Sequence, residues 1–507
     1  MNQIKAGAIL NYVIIGLNTI VGLAYTPFLL RCLGQNEYGL YSLVSSVIAY
    51  LTILDFGFGN AIIRYTSKFR AEGKTREQWE MFGMFLIVYS IIGLIAFCGG
   101  LGLYFNVEAL FDRTMTPDDI SQARTMMLLL TFNLVFTFPL SIFGSIISAY
   151  ENFVFQRVIN IARILLCTGV MIGLLLIGYK AIALVVVNTV FNILTLIINL
   201  IYCKKKLKIK ILFGHFDLAF IKEISIYSFW IFLNAIMDKI YWGTGQFVLG
   251  AISGTIAVAI FSVAIMLQQM YMQFSTSIVS VMLPRMTAMI THNHSKTEIS
   301  NLFIRIGRIQ NLIMALILGG FIVFGQSFIK LWAGNEYSES FLITLIFFIA
   351  LYIPLIQNIG ITILQARNQM KFRSLLYVTI AIISLIFQII LSKSYGALGC
   401  AIAIGAALIL GTGIIMNIYY YTRQDINIPR FWSENLKQLI APAILTIIGY
   451  TTNRFFDYSR IPTLALGITL FTIIYIASAW FFSMNSYERN LFSSPLKKIL
   501  SSPSSRQ

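Results

Sequence analysis

The feature that most restricts the fold of this chain is a series of apolar runs, each long enough to cross a lipid bilayer as a helix. About 20 helical residues span the hydrocarbon layer. Backbone groups in lipid must be satisfied within the segment, and these runs are too long for barrel strands. The sequence therefore predicts an all-α integral membrane protein with about 14 transmembrane helices, at roughly 9–30, 39–63, 81–105, 123–148, 158–178, 181–202, 226–248, 254–283, 309–331, 340–365, 374–392, 396–421, 435–452 and 462–483.

The first twelve runs form an internal repeat: the hydrophobic pattern of the first six recurs in the next six, offset by 216 to 221 residues. Six helices per copy is an even number, so both copies start on the same side and their pseudo-two-fold axis follows the membrane normal. We expect an N-terminal lobe at 1–210, a C-terminal lobe at 211–425, and two additional helices with a tail at 426–507. The matched positions include Asn18 with Asn234, Tyr25 with Tyr241, Leu33-Gly34 with Leu249-Gly250, Ser42 with Ser262, Arg64 with Arg285, and Phe155 with Phe372.

The basic residues predict how the chain is oriented. A cytoplasmic N-terminus places 27 of the 37 Lys and Arg residues on the inner side and 8 on the outer side. Cytoplasmic loops carry such an excess of positive charge. The net charge of +17 is then a product of membrane topology and does not indicate a nucleic-acid partner. Both termini are therefore expected on the cytoplasmic side of the membrane.

The chain does not carry the usual signs of an enzyme. Its five cysteines and three histidines lack metal-ligand spacing, and there is no phosphate-binding loop that ends in Gly-Lys-Ser/Thr. We therefore expect no cofactor. If the chain moves a solute across the membrane, the free energy for that movement would come from a proton or sodium gradient, or from consumption of the product.

Ionisable residues inside the apolar runs carry the most functional information, since each costs at least a few kcal/mol there. Lys239 is either a cation for an anionic substrate or half of an ion pair that locks helix 7. Asp238 and Asp55 are either carboxylates for proton or sodium coupling or partners of neighbouring cations. Arg163, predicted near the inner end of helix 5, either binds substrate or extends its guanidinium to the headgroups.

Two repeat-related pairs complete the candidate site. Arg64 and Arg285 follow helices 2 and 8, where they could attract a pyrophosphate or simply anchor the helix ends. Asn18 and Asn234 lie near the middles of helices 1 and 7. Their amides could bind a sugar or a neighbouring helix.

The segment Arg31-Cys-Leu-Gly-Gln-Asn-Glu-Tyr-Gly-Leu-Tyr-Ser42 resembles the signature of the polysaccharide-transporter branch of the multidrug/oligosaccharidyl-lipid/polysaccharide exporter superfamily. The equivalent segment of the second repeat, 249–262, is similar to the same signature, and Asn234 and Asp238 precede it. The resemblance implies two six-helix bundles and alternating access. It also implies the activity of Wzx-type flippases, which move undecaprenyl-pyrophosphate-linked oligosaccharide units to the outer leaflet for O-antigen or similar polymers. The implied partners are the lipid-linked oligosaccharide, the bilayer, a polysaccharide polymerase and a chain-length regulator.

Three other functions remain open alternatives. Lipid II flippases carry an arginine-aspartate pair in helix 1, where this chain has Asn18 and Thr19, which argues against a peptidoglycan role. Multidrug exporters of the superfamily have 12 helices and bind cations, so two extra helices and Lys239 depart from that pattern. A membrane polymerase of the same pathway usually has a large outer loop, and the longest one here, at 106–122, is short.

Overall fold

The computed structural model describes residues 3–214, 218–280, 282, 286, 288–290, 292, 294–367, 369–491 and 493. Some helical residues are described by their backbone alone, among them Asn234 and Asp238. The described secondary structure is helical, as predicted. The α-helices are, in chain order, α1 Gln3–Leu51, α2 Phe58–Ala71, α3 Thr75–Phe111, α4 Pro117–Ala149, α5 Phe153–Leu176, α6 Ala181–Lys205, α7 Leu218–Ile252, α8 Gly254–Ser280, α9 Lys296–Trp332, α10 Ser340–Ile356, α11 Ile359–Ala366, α12 Lys371–Leu408, α13 Met416–Arg423, α14 Ile428–Thr452 and α15 Ile461–Ser478.

Two glycines divide the longest helices. Gly34 (φ 73°) interrupts α1, and Gly396 (φ 53°) interrupts α12. Within the described residues, nine continuous helices are long and apolar enough to cross a membrane, and the bent pair α10 and α11 adds a tenth. Two of the nine are 59 and 53 residues long, so each contains two spans. With α7 and α14 added, the described chain contains 14 helical stretches, the number predicted from the apolar runs.

The chain forms two compact units. Unit one contains Met1–Ser262 and Leu385–Cys400, and unit two contains Val263–Ser384 and Ala401–Gln507. These units describe packing, whereas the predicted boundaries at 210 and 425 follow the sequence repeat. The repeat boundaries therefore stay a prediction.

Each unit has its own helix packing. In unit one, α4 packs against both α3 and α6, and Gly100 on α3 lies so close to the side chain of Thr131 that a Cβ would be 2.2 Å from its Oγ1. In unit two, α9 is the central helix and packs against α10, α14 and α15. A buried cluster that includes Leu312, Phe324 and Phe471 joins α9 to α15. The two helices beyond the repeat are therefore part of the core of unit two.

The internal repeat is retained in side-chain packing. Phe155 stacks on Tyr202 in unit one, with ring centroids 3.7 Å apart, and Phe372 stacks on Tyr419 in unit two at 4.1 Å. Both partners of the second stack lie 217 positions after those of the first. Phe155 and Phe372, predicted from the sequence to be equivalent positions of the repeat, therefore have the same local geometry. Each stacks on a tyrosine that the sequence analysis did not identify.

Candidate functional site

The signature segment joins several helix ends within unit one. After the turn at Gly34, the Asn36 amide donates to the Asp119 carboxylate at 2.7 Å and accepts from the Thr255 hydroxyl. The buried Glu37 carboxylate accepts from Lys180 Nζ at 3.2 Å and from the backbone N–H of Ala181 at 3.4 Å. The motif thus connects the starts of α4, α6 and α8.

A cavity of about 380 Å³ lies beside this segment, between α1, α5 and α6. Lining positions 18, 21, 25 and 29 of α1 are three or four residues apart, and 160, 163, 164, 167, 168 and 171 of α5 lie three, four, seven, eight and eleven residues along from the first. Residues at these spacings share one face of a helix. The cavity is therefore built by two facing helical stripes, closed by α6. Its polar lining side chains are Asn18, Tyr25, Tyr41, Asn160, Arg163, Thr168 and Asn188.

The polar groups of this cavity are only partly bound to one another. Asn188 Nδ2 donates to the Tyr41 hydroxyl at 3.3 Å, and the Tyr25 hydroxyl contacts the sulfur of Met171 at 3.5 Å. Over the part of the chain that the structure describes, the side chains of Asn18 and Asn160 have no hydrogen-bond partner. Two amide groups thus remain available to a ligand.

Arg163 gives the cavity its charge. It is the eleventh of the 24 residues of α5, about 15 Å from the start of the helix at 1.5 Å per residue. Its side chain is half-buried, and within the described ranges no carboxylate lies within 4.0 Å of it. A membrane-embedded cation without a counter-ion is costly, and a bound anion would offset that cost.

The structure thus brings two of the predicted site residues, Asn18 and Arg163, into one cavity. Sequence reasoning missed Asn160, Asn188 and Tyr41 as cavity residues. A signal for Asn160 was present, since it stands three residues before Arg163 and so on the same helical face. Asn188 and Tyr41 belong to other helices, and no spacing in the sequence connects them to Arg163.

Asp55 lies elsewhere in unit one, at a break in the helix between α1 and α2. A short 3₁₀ turn, Thr52–Asp55, ends at Phe56 and Gly57, which have left-handed φ angles of 51° and 71°. The Tyr89 hydroxyl of α3 donates to Asp55 Oδ1 at 2.8 Å. Asp55 is half-buried, and no Lys or Arg of the described segments forms an ion pair with it.

The remaining predicted residues lie elsewhere. Lys239 is half-buried on α7, one turn before Gly243, whose backbone approaches the Tyr50 ring. Arg64 is exposed on α2, with its guanidinium 5.8 Å from the Tyr65 ring centroid. The side chains of Asn234, Asp238 and Arg285 lie outside the described residues. The roles proposed for these five residues stay predictions.

Comparison with solved structures identifies the fold. A lipid II flippase MurJ in an inward closed conformation has a TM-score of 0.71 and 16% identity, covering 97% of this chain and 99% of that one. An inward-facing multidrug resistance MATE family transporter of the MOP superfamily has a TM-score of 0.63 and 12% identity, covering 82% of this chain and 95% of that one. At these identities the likeness shows the fold alone, and it confirms the predicted all-α fold.

Sequence comparison identifies the family. A Shigella flexneri protein named "Putative O-antigen transporter" is 21% identical over 417 residues, which are 79% of this chain and 94% of that protein. A Salmonella typhimurium protein of the same name is 27% identical over 119 residues, 23% of this chain and 26% of that one. These relatives are named as transporters, which confirms the prediction that the chain is not an enzyme. A family model described as "Polysaccharide biosynthesis protein" matches residues 4–290. Since that match covers more than half of the 507 residues, this chain belongs to the polysaccharide biosynthesis protein family, as its resemblance to the polysaccharide-transporter branch predicted.

Proposed function

We propose that this protein is a flippase for lipid-linked oligosaccharide, with undecaprenyl-pyrophosphate-linked repeat units as its substrate. It moves them by alternating access from the cytoplasmic to the outer leaflet of the bacterial inner membrane, for O-antigen or a similar surface polymer. Both termini are cytoplasmic in this proposal, and a proton or sodium gradient biases the cycle. The single observation that carries it is Arg163, a cation to which the described residues offer no carboxylate partner, in a polar cavity within the membrane-spanning helices.

The chemistry of the substrate matches the chemistry of this cavity. A glycan on a pyrophosphate cannot enter hydrocarbon, because its hydroxyls and charges would lose their hydrogen bonds to water. The amides of Asn18 and Asn160 each offer two donors and one acceptor, which suits sugar hydroxyls. The guanidinium of Arg163 matches phosphate oxygens, with which arginine forms paired, charge-assisted hydrogen bonds. A volume of about 380 Å³ is also within the range of small-molecule sites.

The same charge argues against the multidrug alternative. A cationic drug in this cavity would face Arg163 with no carboxylate among the described lining residues, and like charges in a poorly solvated site repel strongly. An anionic ligand instead offsets the cost of burying the guanidinium. The cavity therefore favours an anionic glycolipid over an organic cation.

The test is a deletion of the gene in its own host, in a background where loss of transport is not lethal. Surface polysaccharide and the leaflet that holds the lipid-linked units are measured after complementation with wild type, Arg163→Ala, Arg163→Lys and Arg157→Ala. Arg157 is a matched control, since it is an arginine of the same helix that does not line the cavity.

We expect the deletion to trap lipid-linked units in the cytoplasmic leaflet. Arg163→Ala should lose roughly ten-fold or more of the export rate, because a hydrogen bond to a charged group contributes about 1.5–3 kcal/mol. Arg163→Lys should recover part of it, and Arg157→Ala should export normally. Normal surface polymer in the deletion strain would refute the flippase proposal, whereas normal export by Arg163→Ala would refute only the role of this cavity.

A further inference from the structure

A second polar pocket, of about 570 Å³, lies in unit two where α12 begins and α13 ends. Lys371 is the first residue of α12 and Arg423 is the last residue of α13, and both line the pocket. The stacked rings of Phe372 and Tyr419 form part of the wall between them. The residues that line this pocket differ from those that line the cavity around Arg163.

The donor and the acceptor of each hydrogen bond around the pocket are settled by an arginine, because the first bond of the series is donated by its guanidinium. Arg367 can only donate, and its Nη1 reaches Gln424 Oε1 at 2.8 Å. Gln424 must therefore present its Nε2 to the other side, where it donates to Gln369 Oε1 at 2.8 Å and to the Tyr419 hydroxyl oxygen at 3.2 Å. Gln369 is left with its own amide N–H groups, and Tyr419 with its hydroxyl hydrogen. Within the described residues, these amide N–H groups and this hydroxyl hydrogen are donors that a ligand in the pocket can use.

The charges at the pocket are also of one sign. Within the described ranges, neither Lys371 nor Arg423 has a carboxylate within 4.0 Å. Asp425, two residues after Arg423, is bound by Lys296 at 2.8 Å. Two cations together with neutral donors, and no carboxylate among the described lining residues, make a site for an anion.

The pocket also has an apolar side. Leu375, one turn after Lys371, lines it and is 63% exposed. The exposed face continues along α12 to Ile382, which is 51% exposed, within a segment that is apolar enough to lie in lipid. A ligand whose anionic head sits between Lys371 and Arg423 can thus extend an acyl chain along α12.

We propose that this pocket binds the phosphate headgroup of an anionic membrane phospholipid. Basic pockets between transmembrane helices at one end of a bundle recognise such headgroups. A free phosphate or the pyrophosphate of a polyprenyl lipid shares the chemistry of the head. The continuous apolar surface from Leu375 onward favours a lipid over the free ion, and its position at the helix ends favours a bilayer phospholipid.

The first repeat provides an internal control. It has the same aromatic stack, Phe155 on Tyr202, but Val154 stands where the second repeat has Lys371. Its tyrosine also differs, since the Tyr202 hydroxyl donates to Asn152 Oδ1 at 3.3 Å and so has no hydrogen left for a ligand. Lys206 is the repeat equivalent of Arg423, 217 positions earlier. The duplicated scaffold therefore occurs once with the anion site and once without it.

The experiment measures lipid binding to the purified full-length protein in detergent by native mass spectrometry. The probes are phosphatidylglycerol, phosphatidylcholine, inorganic phosphate and undecaprenyl phosphate. The variants are Lys371→Ala/Arg423→Ala, Tyr419→Phe, and Lys206→Ala as the matched control. Circular dichroism and elution volume verify that each variant is folded.

We expect wild type and Lys206→Ala to prefer phosphatidylglycerol over phosphatidylcholine by ten-fold or more. The double variant should lose this preference, and Tyr419→Phe, which keeps the stack but removes one donor, should weaken it a few-fold. An unchanged preference in the folded double variant would overturn the proposal. Equal binding of inorganic phosphate would replace the lipid with a free anion, and tighter binding of undecaprenyl phosphate would reassign the pocket to the transported lipid. Both results would overturn the phospholipid proposal, whereas the flippase proposal is tested separately by the gene deletion and at Arg163.

Discussion

The guanidinium of Arg308 on α9 binds the carboxylate of Glu488 through two hydrogen bonds, Nε to Oε1 at 2.6 Å and Nη2 to Oε2 at 3.1 Å. Both residues are buried, Glu488 completely. The other arginine donors reach the backbone carbonyls of Glu434 and Ser483, each at 3.1 Å, and the backbone N–H of Asn485 donates to Glu488 at 3.0 Å. This ion pair joins the centre of unit two to α14 and to the segment after α15.

Breaking this ion pair should destabilise the protein strongly. We expect Arg308→Ala or Glu488→Ala to lower the free energy of unfolding by about 3–5 kcal/mol, because each leaves the other charge buried without its partner. The double variant Arg308→Met/Glu488→Met should lose much less, since no unpaired charge remains. Unfolding in mixed detergent micelles, followed by circular dichroism, measures all three.

An exposed ion pair of the same kind is the control for that series. Arg76 binds Glu80 at 3.0 Å on α3, and the Arg76 side chain is 82% exposed. Arg76→Ala should change stability by no more than about 0.5 kcal/mol, as for other solvent-exposed pairs on a helix. A double variant at 308 and 488 that is as unstable as the single variants would mean that the packing of the side chains, and not their pairing, stabilises this region.

The number of helices was predictable from the sequence, but the role of the last two was not. Apolar runs near 20 residues are a local property, so they are visible without a structure. The attachment of the last two helices depends on Arg308 and Glu488, which are 180 residues apart. Arg308 stands just before the predicted apolar run at 309–331, whereas in the structure it lies buried within α9. A buried partner that distant leaves no signal in a single sequence.

Gly39 of the signature segment should tolerate no side chain. A Cβ at this position would lie 1.9 Å from the backbone oxygen of Thr255, and a backbone atom cannot move away as the end of a flexible side chain can. We expect Gly39→Ala to lower the melting temperature by several degrees and to reduce the yield of folded protein, as overpacking typically costs about 1–3 kcal/mol. A thermal unfolding scan of the purified variant measures this.

Gly16 of the same helix is the matched control. A Cβ at this position meets no heavy atom within 4 Å, so the substitution has only its effect on the helix backbone. Gly16→Ala should raise stability, by up to about 1 kcal/mol, because alanine favours a helix over glycine. If Gly39→Ala proved as stable as Gly16→Ala, the contact with Thr255 would not explain the glycine of the motif.

Residues of the candidate site could be predicted where the sequence of a single helix marked them as unusual. Arg163 is conspicuous because it is an isolated charge in an apolar run, and Asn18 because it recurs in the repeat. Their common cavity could not be predicted, since it depends on how α1 and α5 face each other. For the same reason, the hydrogen bond between Tyr89 and Asp55 was not predicted, although Asp55 itself was.

Asp55 provides the last prediction, because its surroundings distinguish a coupling carboxylate from a structural one. The carboxylate accepts from the Tyr89 hydroxyl at a break in a membrane-spanning segment, and no cation of the described residues neutralises it. If this group carries the coupling ion, Asp55→Asn should abolish the response of transport to an imposed proton or sodium gradient in vesicles. Tyr89→Phe should retain the response at a rate several-fold lower, since it removes one hydrogen bond to a charged group. Asp118→Asn, at an exposed carboxylate that accepts from Gln122 near the start of α4, should behave as wild type. A full gradient response in Asp55→Asn would exclude this carboxylate and leave Asp238 as the predicted coupling residue.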